Sequence, residues 1–155
     1  METPPRTPAL DAIAATGIPH RVVSHGRVAS LEEAARIRGV EPHQIVKSMV
    51  VKHGDEHCIV LVPGLRKIAW PKLRALLGVN KAAMPSAEEA KEITGYERGT
   101  ITPFGTKTTL PVIADERISG EISIGVGAHG VTAVLDGCEA LKVLDATVAD
   151  VTDHE

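Results

Sequence analysis

Apolar positions along this chain recur first at helical spacing and then at every second residue, and glycine, proline and serine mark the changeovers. Thr7-Pro8 reads as a helix N-cap followed by proline in the first turn, with Leu10, Ile13 and Ala14 as the apolar stripe and Gly17 as the stop. His20 to Val23 reads as a short strand. Ser30-Leu31-Glu32-Glu33 has the spacing of a capping box, so a second helix starts there and ends at Gly39. Pro42 to Ile45 predicts one helical turn. Two apolar runs follow, Val46–His53 and His57–Val62, and the intervening Gly54-Asp55-Glu56 predicts an antiparallel hairpin.

The second half repeats these signals. Pro71–Leu77 reads as a helix closed by Gly78, and Ser86-Ala87-Glu88-Glu89 opens another that Gly95 ends. Gly99 to Gly105 holds two glycines and a proline within seven residues, the composition of a shaped loop. Leu110–Ala114, Glu121–Ile124 and Val131–Leu135 read as strands, Cys138–Leu141 as a short helix, and the last residues as a polar tail. Interleaved helices with recurring hairpins predict an α/β (α+β) fold, with a mixed, mostly antiparallel sheet flanked by helices. Residues 1–6 read as a disordered lead-in, 7–151 as a single domain and 152–155 as the tail, with no internal repeat.

Composition narrows the function. Of 155 residues, 43% are hydrophobic and 24% charged, as in a soluble globular protein. A formal net charge of −3 disfavours bulk wrapping of nucleic acid, so no DNA partner is expected, though a local basic rim can still hold one RNA end. With one Trp, one Tyr and one Phe, the chain lacks a platform for stacking several bases. Cys58 and Cys138 are far apart, and Cys58 reads as a buried free thiol. No apolar run approaches the roughly 20 residues of a membrane span, and the start, Met1-Glu2-Thr3-Pro4-Pro5, does not resemble a secretory signal. A cytoplasmic location and no membrane partner are expected.

Lys47 is the residue the pattern does not explain. It interrupts the apolar run Val46-Lys47-Ser48-Met49-Val50-Val51, and a buried ammonium needs a partner. Either it snorkels to water from the strand edge or the strand delivers it into a pocket. Three other segments carry candidate chemistry: the Gly99–Gly105 loop, the glycine-rich turn Gly125-Val126-Gly127-Ala128-His129-Gly130, and Tyr96 in Thr94-Gly95-Tyr96. The first two also have ordinary readings, as a connection and a solvated turn, and Tyr96 reads as an apolar wall with a polar tip. Phosphate-loop, HExxH and GxSxG motifs are missing from the sequence. His53 and His57 flank a hairpin turn rather than sharing a helix face, so no metal or cofactor is expected.

Taken in order, these segments resemble the YbaK/prolyl-tRNA synthetase-associated domain family, whose members include stand-alone relatives of the editing domain of bacterial prolyl-tRNA synthetases. The likeness covers about residues 7–151. It runs through Ser30, Glu33-Ala34-Ala35, Gly39-Val40, Gln44 to Val51, Leu76-Leu77-Gly78, Thr94 to Gly105, Leu110 to Asp115 and Gly127 to Gly130. It implies a trans-editing deacylase that hydrolyses the ester of mischarged aminoacyl-tRNA, with the tRNA acceptor end as ligand and prolyl-tRNA synthetase or an elongation factor as possible helper. Lys47 matches the functional lysine, and Gly99-x-x-x-Pro103 matches the loop that holds the aminoacyl-adenosine end. Lys47, Gly99 and Gly105 are the expected catalytic positions. Ser48, Tyr96, Thr102, Pro103, Phe104, Gly127 and His129 are the expected substrate-binding ones. Cysteine-specific relatives carry Thr after the lysine, and an alanine-specific branch carries Asn there with a histidine near the glycine-rich turn. This chain has Ser48 and His129, which leaves Ala, Ser, Thr and Cys open as the amino acid removed. A non-catalytic module binding a tRNA end, a nucleotide or an amino-acid derivative is the alternative.

Overall fold

The computed structural model describes residues 6–25 and 30–154; of the lead-in expected over residues 1–6, all but Arg6 lies outside them, as does Glu155. Five α-helices and nine strands alternate along the described residues. Helix α1 (Pro8–Thr16) starts where Thr7 Oγ1 accepts from the Leu10 amide at 3.1 Å. Helices α2 (Leu31–Arg38) and α4 (Ala87–Thr94) start likewise, with Ser30 and Ser86 accepting from the amides of Glu33 and Glu89, each at 3.1 Å. These are the caps expected from sequence, and each satisfies an amide that the first helical turn leaves without a partner. Helix α3 spans Trp70–Leu77 and α5 spans Gly137–Val143, the latter capped by Asp136. A left-handed glycine ends each of α1 to α4. The turn expected at Pro42 is a 3-10 turn, Pro42–Gln44.

The strands are β1 (His20–Ser24), β2 (Val46–His53), β3 (Glu56–Pro63), β4 (Lys67–Ile68), β5 (Val112–Asp115), β6 (Glu121–Gly125), β7 (Val131–Asp136), β8 (Thr147–Ala149) and β9 (Thr152–Asp153). The expected hairpin is β2–β3, but its turn is tighter than three residues. His53 pairs with Glu56, leaving Gly54-Asp55 as a two-residue turn, and Gly54 supplies the positive φ of 65°.

Antiparallel pairing dominates, as expected, but the strands form three sheets rather than one. The order is β1-β7-β6 in the first, β2-β3-β5-β8 in the second and β4-β9 in the third. Only β3–β5 and β5–β8 pair in parallel among these ladders. A single parallel bridge, Ile45 to Ser123, joins the first sheet to the second. The polar tail is a further departure. Its residues Thr152-Asp153 form β9 against β4, and Thr152 is fully buried. The cause is Asp115, a carboxylate with no solvent exposure at the end of β5. It accepts from Thr152 Oγ1 (2.8 Å), the Val151 amide (3.2 Å), the Arg117 amide (3.0 Å) and the Arg117 guanidinium (3.1 Å). Polar residues are drawn inside because a buried charge requires them.

The second sheet is covered on both faces. Val46, Val50, Ile59, Leu61, Val112 and Ala114 pack with Ile122, Ile124, Ala133 and Leu135 of the first sheet and with Ala9 and Ile13 of α1. Val51, Cys58, Val60, Val62 and Ile113 pack on the other face with Leu73 of α3, Ile68 and Val151. Double coverage explains why Cys58–Val62 reads as an unbroken apolar run rather than an alternating one.

Candidate active site

Strand β2 is an edge strand, and the site follows from that. Lys52 donates to and accepts from Ala83 through its backbone, at 2.8 and 3.0 Å, so its amide and carbonyl point away from β3. The β2–β3 register runs without a bulge from Val46 opposite Pro63 to His53 opposite Glu56. Outward-facing residues therefore alternate, and the backbones of Val50, Ser48 and Val46 also point off the sheet. Bridges close this edge at both ends, at Lys52–Ala83 and at Ile45–Ser123. Between them lies a cavity of about 470 Å³, within the usual size of a small-ligand site.

The edge position explains why residues from both faces of β2 line this cavity: Val46, Ser48 and Val50 from one face, Lys47 and Met49 from the other. Met84, Pro85, Ala87 and Ala90 form a second wall, and Arg98, Gly99 and Ile101 a third. Arg38, Gly125 and Thr132 complete it from α2 and the first sheet. Three cations and no carboxylate are among the lining residues, so the cavity is a positive spot on a chain of net charge −3.

Of the expected site residues, the structure brings Lys47, Ser48 and Gly99 together in the cavity wall. Lys47 reaches it differently from the buried-charge argument. Its side chain is exposed, and Nζ donates to the carbonyl of Arg66 at 3.0 Å. Arg66 in turn donates to Thr152 at 2.7 and 3.1 Å, and Thr152 to Asp115. A chain of hydrogen bonds thus fixes the carbonyl on which the lysine rests. His129 stands at the rim, exposed, with Nε2 3.1 Å from Glu97. That contact, with Lys91 adding to it, holds the Glu97 carboxyl below its usual range.

The other six expected residues lie outside the cavity wall, in the rest of the Gly99–Gly105 loop and behind it. Tyr96 is 3% exposed; its hydroxyl donates to the carbonyl of Phe104 at 2.7 Å, with that of Gly105 at 2.9 Å, and burial pushes its phenol up to about 12. Thr102, Pro103 and Phe104 are buried. Gly105 packs on the start of α1, where an added Cβ would sit 2.5 Å from the Pro8 carbonyl. At Gly127 (φ +82°) a Cβ would lie 2.5 Å from the Tyr96 ring. These positions form the scaffold that presents Gly99. Two loop amides are also engaged within the protein, Thr100 on the Glu97 carbonyl at 2.9 Å and Phe104 on Thr102 Oγ1 at 3.4 Å.

Sequence reasoning missed Arg38, Arg98 and Thr132. Arg38 passes as an ordinary cation in the last turn of α2, and Arg98 as a solvated neighbour of Gly99. Thr132 carried a usable signal, a hydroxyl inside the apolar strand Val131–Leu135. Burial lowers the Arg38 guanidinium below its usual range, though an arginine stays cationic there. Arg38 Nε, Ser48 Oγ and Thr132 Oγ1 are the buried side-chain polar atoms without a hydrogen-bond partner among the described residues.

Known proteins share this fold. A crystal structure of a candidate trans-editing enzyme for prolyl-tRNA synthetase superimposes with a TM-score of 0.86 at 28% identity, covering 94% of this chain and 95% of that one. Proline–tRNA ligase of Bacillus licheniformis is 31% identical over 102 residues, 66% of this chain and 18% of the ligase. That of Thermosipho melanesiensis is 37% identical over 91 residues, 59% of this chain and 16% of the ligase. The chain therefore spans under a fifth of the length of these ligases. The family model for the aminoacyl-tRNA editing domain matches residues 25–142, a stretch that contains every cavity-lining residue. By that match, the chain belongs to the aminoacyl-tRNA editing domain family.

Proposed function

We propose that this cavity hydrolyses the ester between a small, wrongly attached amino acid and the terminal adenosine of tRNA, with tRNA(Pro) as the tRNA and trans-editing as the mode. The observation that carries the reading is a strand edge with open backbone groups beside Lys47, Arg38 and Arg98, in a cavity sized for an aminoacyl-adenosine end. The cations suit the phosphates of the acceptor end. No His, Asp, Glu or Cys is among the lining residues, so the protein's part is positioning and charge stabilisation rather than a side-chain base.

Water attacks the ester carbonyl, and the developing oxyanion is met by the Lys47 ammonium. The carbon–oxygen bond to the ribose then breaks, the ribose oxygen takes a proton, and free amino acid and uncharged tRNA leave. The substrate's vicinal ribose hydroxyl serves to hold the water. A net charge of −3 gives the RNA little purchase outside the cavity, which supports delivery by prolyl-tRNA synthetase or an elongation factor.

The test is deacylation of Ala-, Ser-, Thr- and Cys-tRNA(Pro), with Pro-tRNA(Pro) as control. Lys47→Ala is expected to lower the rate on the edited substrate by about 10²–10³-fold, the usual cost of removing one oxyanion donor. Its thermal stability should be retained, because the side chain is exposed. Wild-type turnover in that variant removes Lys47 from the mechanism. No turnover of any substrate by the native protein reduces the cavity to a binding site for an RNA end, a nucleotide or an amino-acid derivative.

A further inference from the structure

We propose that Ser48, Thr132 and Arg38 make the cavity a reader of hydroxyl groups, so that seryl and threonyl esters are preferred to alanyl and cysteinyl ones. The proposal rests on the deacylase reading above and names the substrate class of that site. Buried polar atoms in folded proteins are nearly always partnered. Here the three side-chain atoms that lack a partner among the described residues all belong to residues lining one cavity. Scattered packing faults would not gather around one cavity.

Their chemistry is specific. The terminal nitrogens of Arg38 are engaged, Nη1 with Ser123 Oγ and Nη2 with His25 Nε2, each at 3.4 Å, which leaves Nε–H as its buried donor without a partner among the described residues. Ser48 and Thr132 each offer one donor and an acceptor. A ligand hydroxyl accepts from Nε–H and donates to a hydroxyl oxygen, whereas a methyl does neither and a thiol does both weakly. Ser48 also belongs to the β2 edge whose backbone faces the cavity, so an amino acid held by its amine and carbonyl along that edge sets its side chain beside these groups. Val46, Val50, Ile101 and Ala90 supply the apolar surface that the rest of a small side chain covers. A site built to hydrogen-bond a hydroxyl rejects the analogue without it far more strongly than an apolar pocket rejects a missing methylene.

The experiment measures binding and turnover separately. Non-hydrolysable 3′-amide analogues of seryl-, threonyl-, alanyl- and cysteinyl-adenosine are titrated by calorimetry into the wild type, Thr132→Val and Ser48→Ala, and the four charged tRNAs are assayed in parallel. Thr132→Val keeps shape and β-branching while deleting the hydroxyl. The expected result is seryl and threonyl amides binding at least about tenfold tighter than alanyl, the worth of one good hydrogen bond, with that ratio cut by about tenfold in Thr132→Val. Equal affinity for seryl and alanyl amides overturns the proposal. So does a Thr132→Val that weakens all amides alike, since the hydroxyl then reads the shared ribose, and so does binding of none of them. Seryl preference without hydrolysis of any ester sinks the deacylase reading and leaves this one standing. Hydrolysis with alanyl at or above seryl does the reverse.

Discussion

Tyr96 gives the sharpest test of how the site is supported, because sequence placed it against the substrate and the structure places it behind the loop. Tyr96→Phe removes one oxygen and nothing else. That oxygen donates to the Phe104 carbonyl at 2.7 Å, inside a cluster where Tyr96 and Phe104 are each 3% exposed. Water has no ready access, so the carbonyl is left without its partner, a loss of about 1–3 kcal/mol. In a domain of this size 1 kcal/mol moves Tm by roughly 2–4 °C, so a fall of about 2–12 °C is expected by calorimetry. The midpoint in urea should fall with m unchanged, since the surface exposed on unfolding stays the same. Deacylation should weaken only modestly and through KM, because Gly99 stays in the wall and its loop loses one anchor. The reasoning is refuted if turnover collapses while Tm stays within 1 °C of wild type, since Tyr96 would then touch substrate. The same buried phenol sets an alkaline limit. Its folded pKa of about 12 lies above the ordinary value of 10, so its stabilisation is complete below pH 10 and lost as pH rises toward 12.

Three further outcomes are expected. Gly105→Ala should lower Tm by more than Tyr96→Phe does, because its Cβ meets the Pro8 carbonyl at 2.5 Å at a φ of 65°, and kcat of the folded fraction should be retained; lost kcat at unchanged Tm would restore Gly105 to the reaction. For Asp115, burial pushes the carboxyl up, but bonds from Thr152, the Arg117 and Val151 amides and the Arg117 side chain outweigh it and leave the pKa lowered. The stabilisation is therefore present above an unfolded value of about 3.9 and lost as pH falls through the folded one. Asp115→Ala should cost about 3 kcal/mol at pH 7 and flatten the acid limb of a stability–pH curve; an unchanged curve would show the charge is elsewhere compensated. Cys58 is 1% exposed and its thiol is pushed up to about 11, so Ellman's reagent should titrate Cys138 alone in the native protein and both thiols in denaturant; rapid reaction of two would contradict the burial.

Elements closed by local rules were legible in the sequence. Ser30, Ser86 and Thr7 cap, and Gly17, Gly39, Gly78 and Gly95 stop, because these residues act on backbone within a few positions of themselves. Lys47 was legible as a candidate because it breaks an apolar run, and Ser48 and Gly99 through the family resemblance; the structure brings all three into the cavity wall. Strands β4, β8 and β9 were not legible. They are two or three residues long and exist through a partner remote in sequence: Lys67–Ile68 pairs with Thr152–Asp153, and Asp115 draws the latter segment inside. Arg38 and Thr132 escaped for a related reason. Their places in the wall exist only once the first sheet meets the edge of β2, a contact that no local pattern encodes.

That edge is open because the pairing stops, and Pro85 is where it stops. The Lys52–Ala83 pair is one rung of an antiparallel ladder whose next rung would set residue 85 opposite Val50. Proline has no amide hydrogen to give that rung. The cavity's length is therefore counted in rungs of two residues, and one imino acid sets where the count ends. Replacing Pro85 with a residue that can donate would permit the ladder to zip one step toward Ser48, trading ligand space for backbone pairing.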